Sequence, residues 1–323
     1  MRRALAFVAA IGMIVGAVLV RTHLDDDKQS VATNQEARGP LSIVCVTELS
    51  AECDALALAH PDLQTRVEDA ATTAQALAKG TQGVDGWLTL DSWPDVANGL
   101  VTDPIFKSST ALASSPLVIA MVKERSVVLA PKCPNGVVGW RCLGDYVGRP
   151  WTDLPGGIKA WGNITVGNPP LSSATGLLLY GNAVTGYFGR TDIATNDFET
   201  DPGFSAWRAK VKTTFMESDP FVQFVTQLPA KFAAVGVTAA EEKTNVGTQA
   251  DKVVVMDPQP QATAVVVLAP VGEGPRAREV EKLAGTRGMT DVLGQQGWAV
   301  GQSPAETGLP SPGVLLALSG LSG

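Results

Sequence analysis

Short apolar strands alternate with short helices along most of the chain, and this alternation restricts the possible folds more than any other feature of the sequence. The first strand is Leu41–Val46, and a helix runs from Ser50 towards His60. Further strands are expected at Leu63–Glu68 and Val84–Leu90. Strands that alternate with helices form mostly parallel sheets, whose ligands bind beyond the carboxyl ends of the strands. We therefore predict an α/β fold with a binding site at one edge of the sheet.

Polar residues follow each of these three strands, in loops at 47–50, 69–73 and 91–93. The shared position of the loops makes their polar side chains candidates for ligand binding: Thr47, Glu48, Ser50, Thr72, Thr73 and Asp91. Thr72 stands three residues before Gln75, which is capping-box spacing and predicts a helix start there. Each loop taken alone is better explained as a plain connection.

The stretch 164–180, ITVGNPPLSSATGLLLY, predicts a strand, a rigid corner and a helix N-terminus. The corner is Asn168-Pro169-Pro170, where proline ends the strand because it has no amide hydrogen for a sheet. Ser172, Ser173 and Thr175 then precede the apolar run of the helix. The free amide groups of a helix N-terminus can hold an anion or a carbonyl oxygen, so these three residues join the candidates. An ordinary capped helix is the alternative.

The second half of the chain continues the same alternation. Thr238 ends one of its strands and is a further candidate for ligand binding. Strands are expected at 115–122, 233–238, 253–256 and 264–268, and helices at 221–228, 276–284 and 289–296.

The N-terminus predicts export from the cytoplasm. Arg2 and Arg3 precede an uncharged, mostly apolar run of 17 residues, 4–20, and Arg21 closes it. Because no small-x-small cleavage site follows Val20, we favour an uncleaved membrane helix over a cleaved signal peptide. Residues 1–22 are thus a signal anchor or a signal peptide, and 23–40 a solvated tether. The body is expected to be extracytoplasmic and membrane-anchored, or secreted if the segment is cleaved.

Four cysteines agree with an oxidising compartment. Cys45 and Cys53 lie eight residues apart, and Cys133 and Cys142 lie nine apart, so proximity favours two local disulfides among the three possible pairings. Metal ligation fits less well because the spacings are wide and no histidine stands beside a cysteine.

The charge and the scarcity of histidine exclude other classes of function. Without the three arginines of the N-terminal segment, 22 Lys and Arg stand against 32 Asp and Glu, a formal charge of −10 that repels nucleic acid and anionic lipid. The two histidines, His23 and His60, lie outside the candidate loops, and the sequence contains no GxSxG motif or metal-ligand cluster. We therefore expect no enzyme activity, no metal site and no cofactor.

The order of elements resembles that of class II extracytoplasmic solute-binding proteins, and most of all the molybdate-binding proteins of bacterial ABC transporters. The similarity covers roughly residues 41–301. It is carried by five segments: IVCVTELS, VDGWLTLDSWPDVA, SPLVIAMV, WTDLPGGIKAWGNITVGNPPLSSATG and the closing helix to GWAV.

The resemblance implies a two-lobed, periplasmic-binding-protein-like fold with two crossing strands and a ligand held between the lobes. On that pattern lobe 1 comprises about 41–117 and 261–301, and lobe 2 about 118–260. Residues 302–323 are expected to be a flexible tail.

The resemblance also implies a departure in the ligand site. Glu48 stands where the family offers a serine hydroxyl, Asp69 precedes the donors of the second loop, and Thr238 stands where the family has a tyrosine. A carboxylate opposes a bound anion, so an amine-bearing or neutral polar solute fits better than an oxyanion. The predicted function is solute capture, with a membrane permease as partner. The alternative is a surface binding or scaffold module, in a surface complex, that kept the fold without transport.

Overall fold

The predicted alternation of strands and helices is present in the computed structural model, which describes residues 39–80, 83–302, 304 and 306–322. The strands are β1 Ser42–Val46, β2 Gln64–Glu68, β3 Gly86–Leu90, β4 Thr110–Val122, β5 Val166–Gly167, β6 Ala234–Thr238, β7 Val253–Met256, β8 Thr263–Pro270 and β9 Ala299–Val300. The helices are α1 Ser50–Ala59, α2 Ala70–Ala78, α3 Trp93–Asn98, α4 Lys123–Leu129, α5 Trp140–Tyr146, α6 Ala174–Phe188, α7 Asp197–Thr200, α8 Pro202–Lys212, α9 Phe221–Thr226, α10 Ala239–Asn245, α11 Pro275–Leu283, α12 Arg287–Gln295 and α13 Pro312–Ser319.

The strands pair in the order β2-β1-β3-β8-β4-β6-β5, and β7 and β9 also pair with β4. The 13-residue strand β4 connects two parts of this system. Its first part, Thr110–Pro116, pairs with β8, while Leu117–Met121 pairs with β6. We call β1, β2, β3, β8 and β9 the first half, and β5, β6 and β7 the second half.

The expectation of a mostly parallel sheet is wrong. β1 is parallel to β2 and β3, and β5 is parallel to β6. Every pairing of β4 and β8 in the described residues is antiparallel. The reason is that β4 leads the chain from the first half into the second, and β8 returns in the opposite direction at its side. The assignment of lobe boundaries near 117 and 260 stays a prediction.

Buried apolar side chains of both strands and helices form the core. The run that includes Val265, Val266 and Val267 makes β8 almost fully buried, as a β-branched segment paired on both sides requires. The helix α6 is buried along nearly its whole length and lies against β6.

Both predicted disulfides are confirmed. Cys45 is bonded to Cys53 across the turn from β1 into α1, and Cys133 is bonded to Cys142 at the start of α5. No free cysteine occurs in the described part of the chain.

The N-terminal anchor and tether fall on residues 1–40, nearly all of which lie outside the described residues. Among the residues described, no helix has the length and apolar character needed to cross a membrane.

The expected flexible tail contains a packed helix, so that prediction is wrong for residues 312–319. In α13 the side chains of Val314, Leu315 and Leu318 are buried, and the helix contacts both α3 and α6. A Cβ atom at Gly181 of α6 would lie only 2.6 Å from Leu315, which measures how closely the two helices approach. The high content of Ser, Pro and Gly predicts a flexible segment, but the segment also contains a short apolar stripe. Burial of that stripe outweighs the entropy lost when the chain is ordered.

Candidate ligand cavity

A cavity of about 270 Å³ lies where β1 and β6 end. The sharp turn Thr47–Leu49 directly after β1 places Glu48 at the cavity, and the last residue of β6, Thr238, places the start of α10 beside it. The lining residues come from both halves of the structure and are Glu48, Thr175, Asp219, Thr238, Glu241, Thr244, Asn245, Gln296 and Trp298.

The N-terminus of α6 is occupied by acceptors of the protein itself. The backbone N–H of Thr175 donates to Oε1 of Glu48 at 2.9 Å, and the hydroxyl of Thr47 donates to Oε2 at 3.0 Å. Ser173 caps the helix by accepting from the N–H of Gly176 at 3.0 Å. The positive end of a helix attracts anions, and here a carboxylate from the loop after β1 satisfies that preference.

The N-terminus of α2 is closed in the same manner. Its cap is Asp69, whose Oδ1 accepts from the N–H of Ala71 at 3.2 Å, while its Oδ2 accepts from the hydroxyl of Ser172 at 3.1 Å. A buried hydrogen bond of 3.1 Å from Nε1 of Trp93 to the carbonyl of Ala174 lies nearby. These contacts join the first half directly to the start of α6.

The walls of the cavity carry three carboxyl groups, Glu48, Asp219 and Glu241, and its lining residues include no Lys, Arg or His. Burial, followed by the neighbouring charges of Asp219 and Glu48, raises the pKa of Glu241 to about 8. A hydrogen bond between the Glu241 and Asp219 side chains adds to this shift. Near neutral pH Glu241 therefore holds a proton, because ionising it would add a negative charge beside two others.

Three of the predicted site residues line the cavity: Glu48, Thr175 and Thr238. Thr238 also caps α10, accepting from the N–H of Glu241 at 3.1 Å. Ser172 and Ser173 lie at the start of α6 and are engaged with Asp69 and the helix backbone. That any of these residues contacts a ligand stays a prediction.

Besides Ser172 and Ser173, five predicted residues are not among those that line the cavity. Thr47 and Ser50 are exposed beside Glu48, and Asp91 is half-buried ahead of α3. The predicted helix start at Thr72 is wrong: α2 begins at Ala70, because Asp69 supplies the cap. Thr72 is consequently an exposed helical residue, while Thr73 is buried and its hydroxyl donates to Glu68 at 3.0 Å.

The sequence reasoning missed six lining residues: Asp219, Glu241, Thr244, Asn245, Gln296 and Trp298. A signal for the α10 residues was present, since they follow β6 just as Glu48 follows β1. Asp219 and Trp298 come from irregular segments and reach the cavity only through tertiary packing.

In the described part of the chain, no group of three or more His, Cys, Asp or Glu side chains is arranged to hold a metal ion. The three carboxyl groups of the cavity are therefore not arranged as a coordination shell.

Comparison of the whole structure with solved structures gives the class of fold: it is that of the periplasmic solute-binding proteins. The periplasmic binding protein P5PA matches with a TM-score of 0.51 and 13% sequence identity over 85% of this chain and 90% of its own. A periplasmic thiamin-binding protein matches with a TM-score of 0.51 and 13% identity over 86% of this chain and 92% of its own. No protein-family model matches the sequence, and no curated protein does.

Proposed function

We propose that this protein captures a small polar solute outside the cytoplasm and delivers it to a membrane transporter. The observation that carries the proposal is the polar cavity at the ends of β1 and β6, lined from both halves of a periplasmic-binding-protein fold. Ligands of open α/β sheets bind beyond the carboxyl ends of strands, which is where this cavity lies. The two disulfides agree with an oxidising, extracytoplasmic compartment.

The solute is not a tetrahedral oxyanion. The N–H groups of helix N-termini commonly hold such an anion, but here the backbone N–H of Thr175 is engaged by Glu48 and that of Ala71 by Asp69. A unit charge about 4 Å away is worth on the order of 4 kcal/mol at an effective dielectric near 20. Replacing Glu48 by serine would free one donor, yet Asp219 and Glu241 would still oppose an anion.

The proposal is tested by thermal unfolding of the full chain with a panel of small polar solutes that includes amino acids, amines, sugars, molybdate and sulfate. We expect at least one neutral or cationic solute to raise the melting temperature, because a ligand at 100 times its Kd adds about 2.7 kcal/mol of stability. Molybdate and sulfate are expected to have no effect.

A matched pair of variants on α10 locates the binding site. Thr244→Phe adds a ring at a position that lines the cavity and should abolish the stabilisation. Lys243→Phe adds the same ring at the neighbouring position, which is equally exposed but does not line the cavity, and should preserve it. Stabilisation by molybdate, or a solute that binds both variants equally, would refute the assignment of the site.

A further inference from the structure

We propose that the solute is an organic cation that also carries a hydroxyl or carbonyl group, recognised by Glu48, Asp219, Glu241 and Trp298. This inference rests on the proposed function and names the chemical class of its ligand.

The charge of the cavity gives the first requirement on the ligand, which is a positive charge. Three carboxyl groups from separate segments face one space: the turn after β1, the stretch before α9, and α10. None of them forms an ion pair within the described residues. Negative charges brought together in a partly enclosed site raise the free energy of the empty protein, and a bound cation relieves that repulsion. The pKa of Glu241 is raised mainly by burial, and the neighbouring charges of Asp219 and Glu48 add to this shift.

Trp298 gives the second requirement on the ligand, which is a hydrogen-bond acceptor. This requirement does not depend on the acidic residues. Its side chain lines the cavity and is only 9% exposed, while its indole N–H makes no hydrogen bond to another described residue and is not among the fully buried polar atoms. An unbonded indole N–H at a cavity wall is therefore free to donate to a bound molecule. A ligand with a hydroxyl or carbonyl oxygen supplies one, and the indole ring adds an attractive surface for a cation.

The size of the cavity gives the third requirement. A volume of about 270 Å³ corresponds to about nine water molecules at roughly 30 Å³ each. That space admits an organic ion of several heavy atoms and is larger than a bare metal ion requires. Thr244, Asn245 and Gln296 line the remaining wall, where the Thr244 hydroxyl and the Asn245 amide already donate to backbone carbonyls.

The test is calorimetry on the full chain with two pairs of probes, each a cation and a neutral molecule of the same shape. Choline is compared with 3,3-dimethylbutan-1-ol, in which carbon replaces the ammonium nitrogen, and ethanolamine is compared with propan-1-ol. We expect at least one cation to bind at least 100-fold more tightly than its neutral partner. Asp219→Asn should lower the affinity for that cation at least tenfold. Asp153 is an exposed carboxylate outside the cavity, so Asp153→Asn should leave the affinity unchanged.

Trp298→Phe keeps an aromatic ring and removes the N–H donor. It should therefore lower the affinity for choline or ethanolamine and leave that for tetramethylammonium unchanged, because tetramethylammonium has no hydrogen-bond acceptor. Equal affinity within each pair would overturn the charge requirement and leave solute capture standing. Binding of Ca²⁺ in place of both cations would also overturn the inference, as would the failure of both cations to bind. The solute panel described above decides separately whether any small molecule is captured.

Discussion

Gly176→Ala is expected to lower the free energy of unfolding by about 3 kcal/mol or more, because the first turn of α6 leaves no space for a side chain. A Cβ atom at this position would lie 1.8 Å from the carbonyl oxygen of Pro170 and 2.9 Å from that of Pro169. Both contacts are with backbone atoms, which cannot rotate away as a flexible side chain can. The substitution must displace either the helix or the Pro169-Pro170 corner.

Denaturant unfolding of the variant measures this effect, and Gly313→Ala is the matched control. Gly313 lies in α13 with nothing within 4 Å of its added Cβ, so alanine there should be neutral or stabilising by up to about 1 kcal/mol. A denaturation midpoint for Gly176→Ala equal to that of the wild type would show that the close approach is not present in solution. The α6 start also holds Thr175 against Glu48, so the variant should weaken solute binding as well.

Glu52→Gln is expected to change the pH dependence of stability by about 3 kcal/mol. Glu52 is fully buried in α1, and neither carboxylate oxygen has a hydrogen-bond partner among the described residues. Burial raises the pKa of this carboxyl from 4.5 to about 7. Each pKa unit corresponds to about 1.4 kcal/mol of stability.

Proton uptake by Glu52 determines whether the free energy of unfolding rises or falls with pH. Between pH 4.5 and 7 the folded protein keeps a proton on Glu52 that the unfolded chain has lost, so the stability linked to Glu52 falls as pH rises through this window. Glutamine cannot ionise, and the variant should therefore gain about 3 kcal/mol relative to the wild type between pH 4.5 and pH 8.

Unfolding by urea at pH 4.5, 6 and 8 measures this gain. Glu199→Gln, at an exposed position of α7, should give a constant difference from the wild type. A constant difference for Glu52→Gln as well would mean that Glu52 reaches water in the folded protein.

Much of the fold could be predicted because its signals are local. Runs of β-branched and apolar residues locate β1, β3, β4 and β8, and short spacings between cysteines give both disulfides. The strand directions could not be predicted in this way. Whether β8 lies parallel or antiparallel to β3 depends on how the chain returns from the second half, which no local pattern encodes.

The site could be predicted only in part, for the same physical reason. Glu48 can be predicted because it directly follows a strand, and its hydrogen bond to Thr175, 127 positions later, brings these two segments together. The sequence also suggests that the start of α6 can hold an external anion or carbonyl oxygen. In the structure this helix start instead binds the carboxylate of Glu48. Asp219 and Trp298 carry no motif, and only tertiary packing brings them to the cavity.

The most direct test of the account is mass spectrometry of the small molecule retained by the full chain after gentle purification. We expect one organic cation with a hydroxyl or carbonyl group to be bound to the wild type and to Lys243→Phe, and to be missing from Thr244→Phe, which adds a ring at a position that lines the cavity. An anion retained by the wild type, or the same molecule retained equally by Thr244→Phe, would contradict the account.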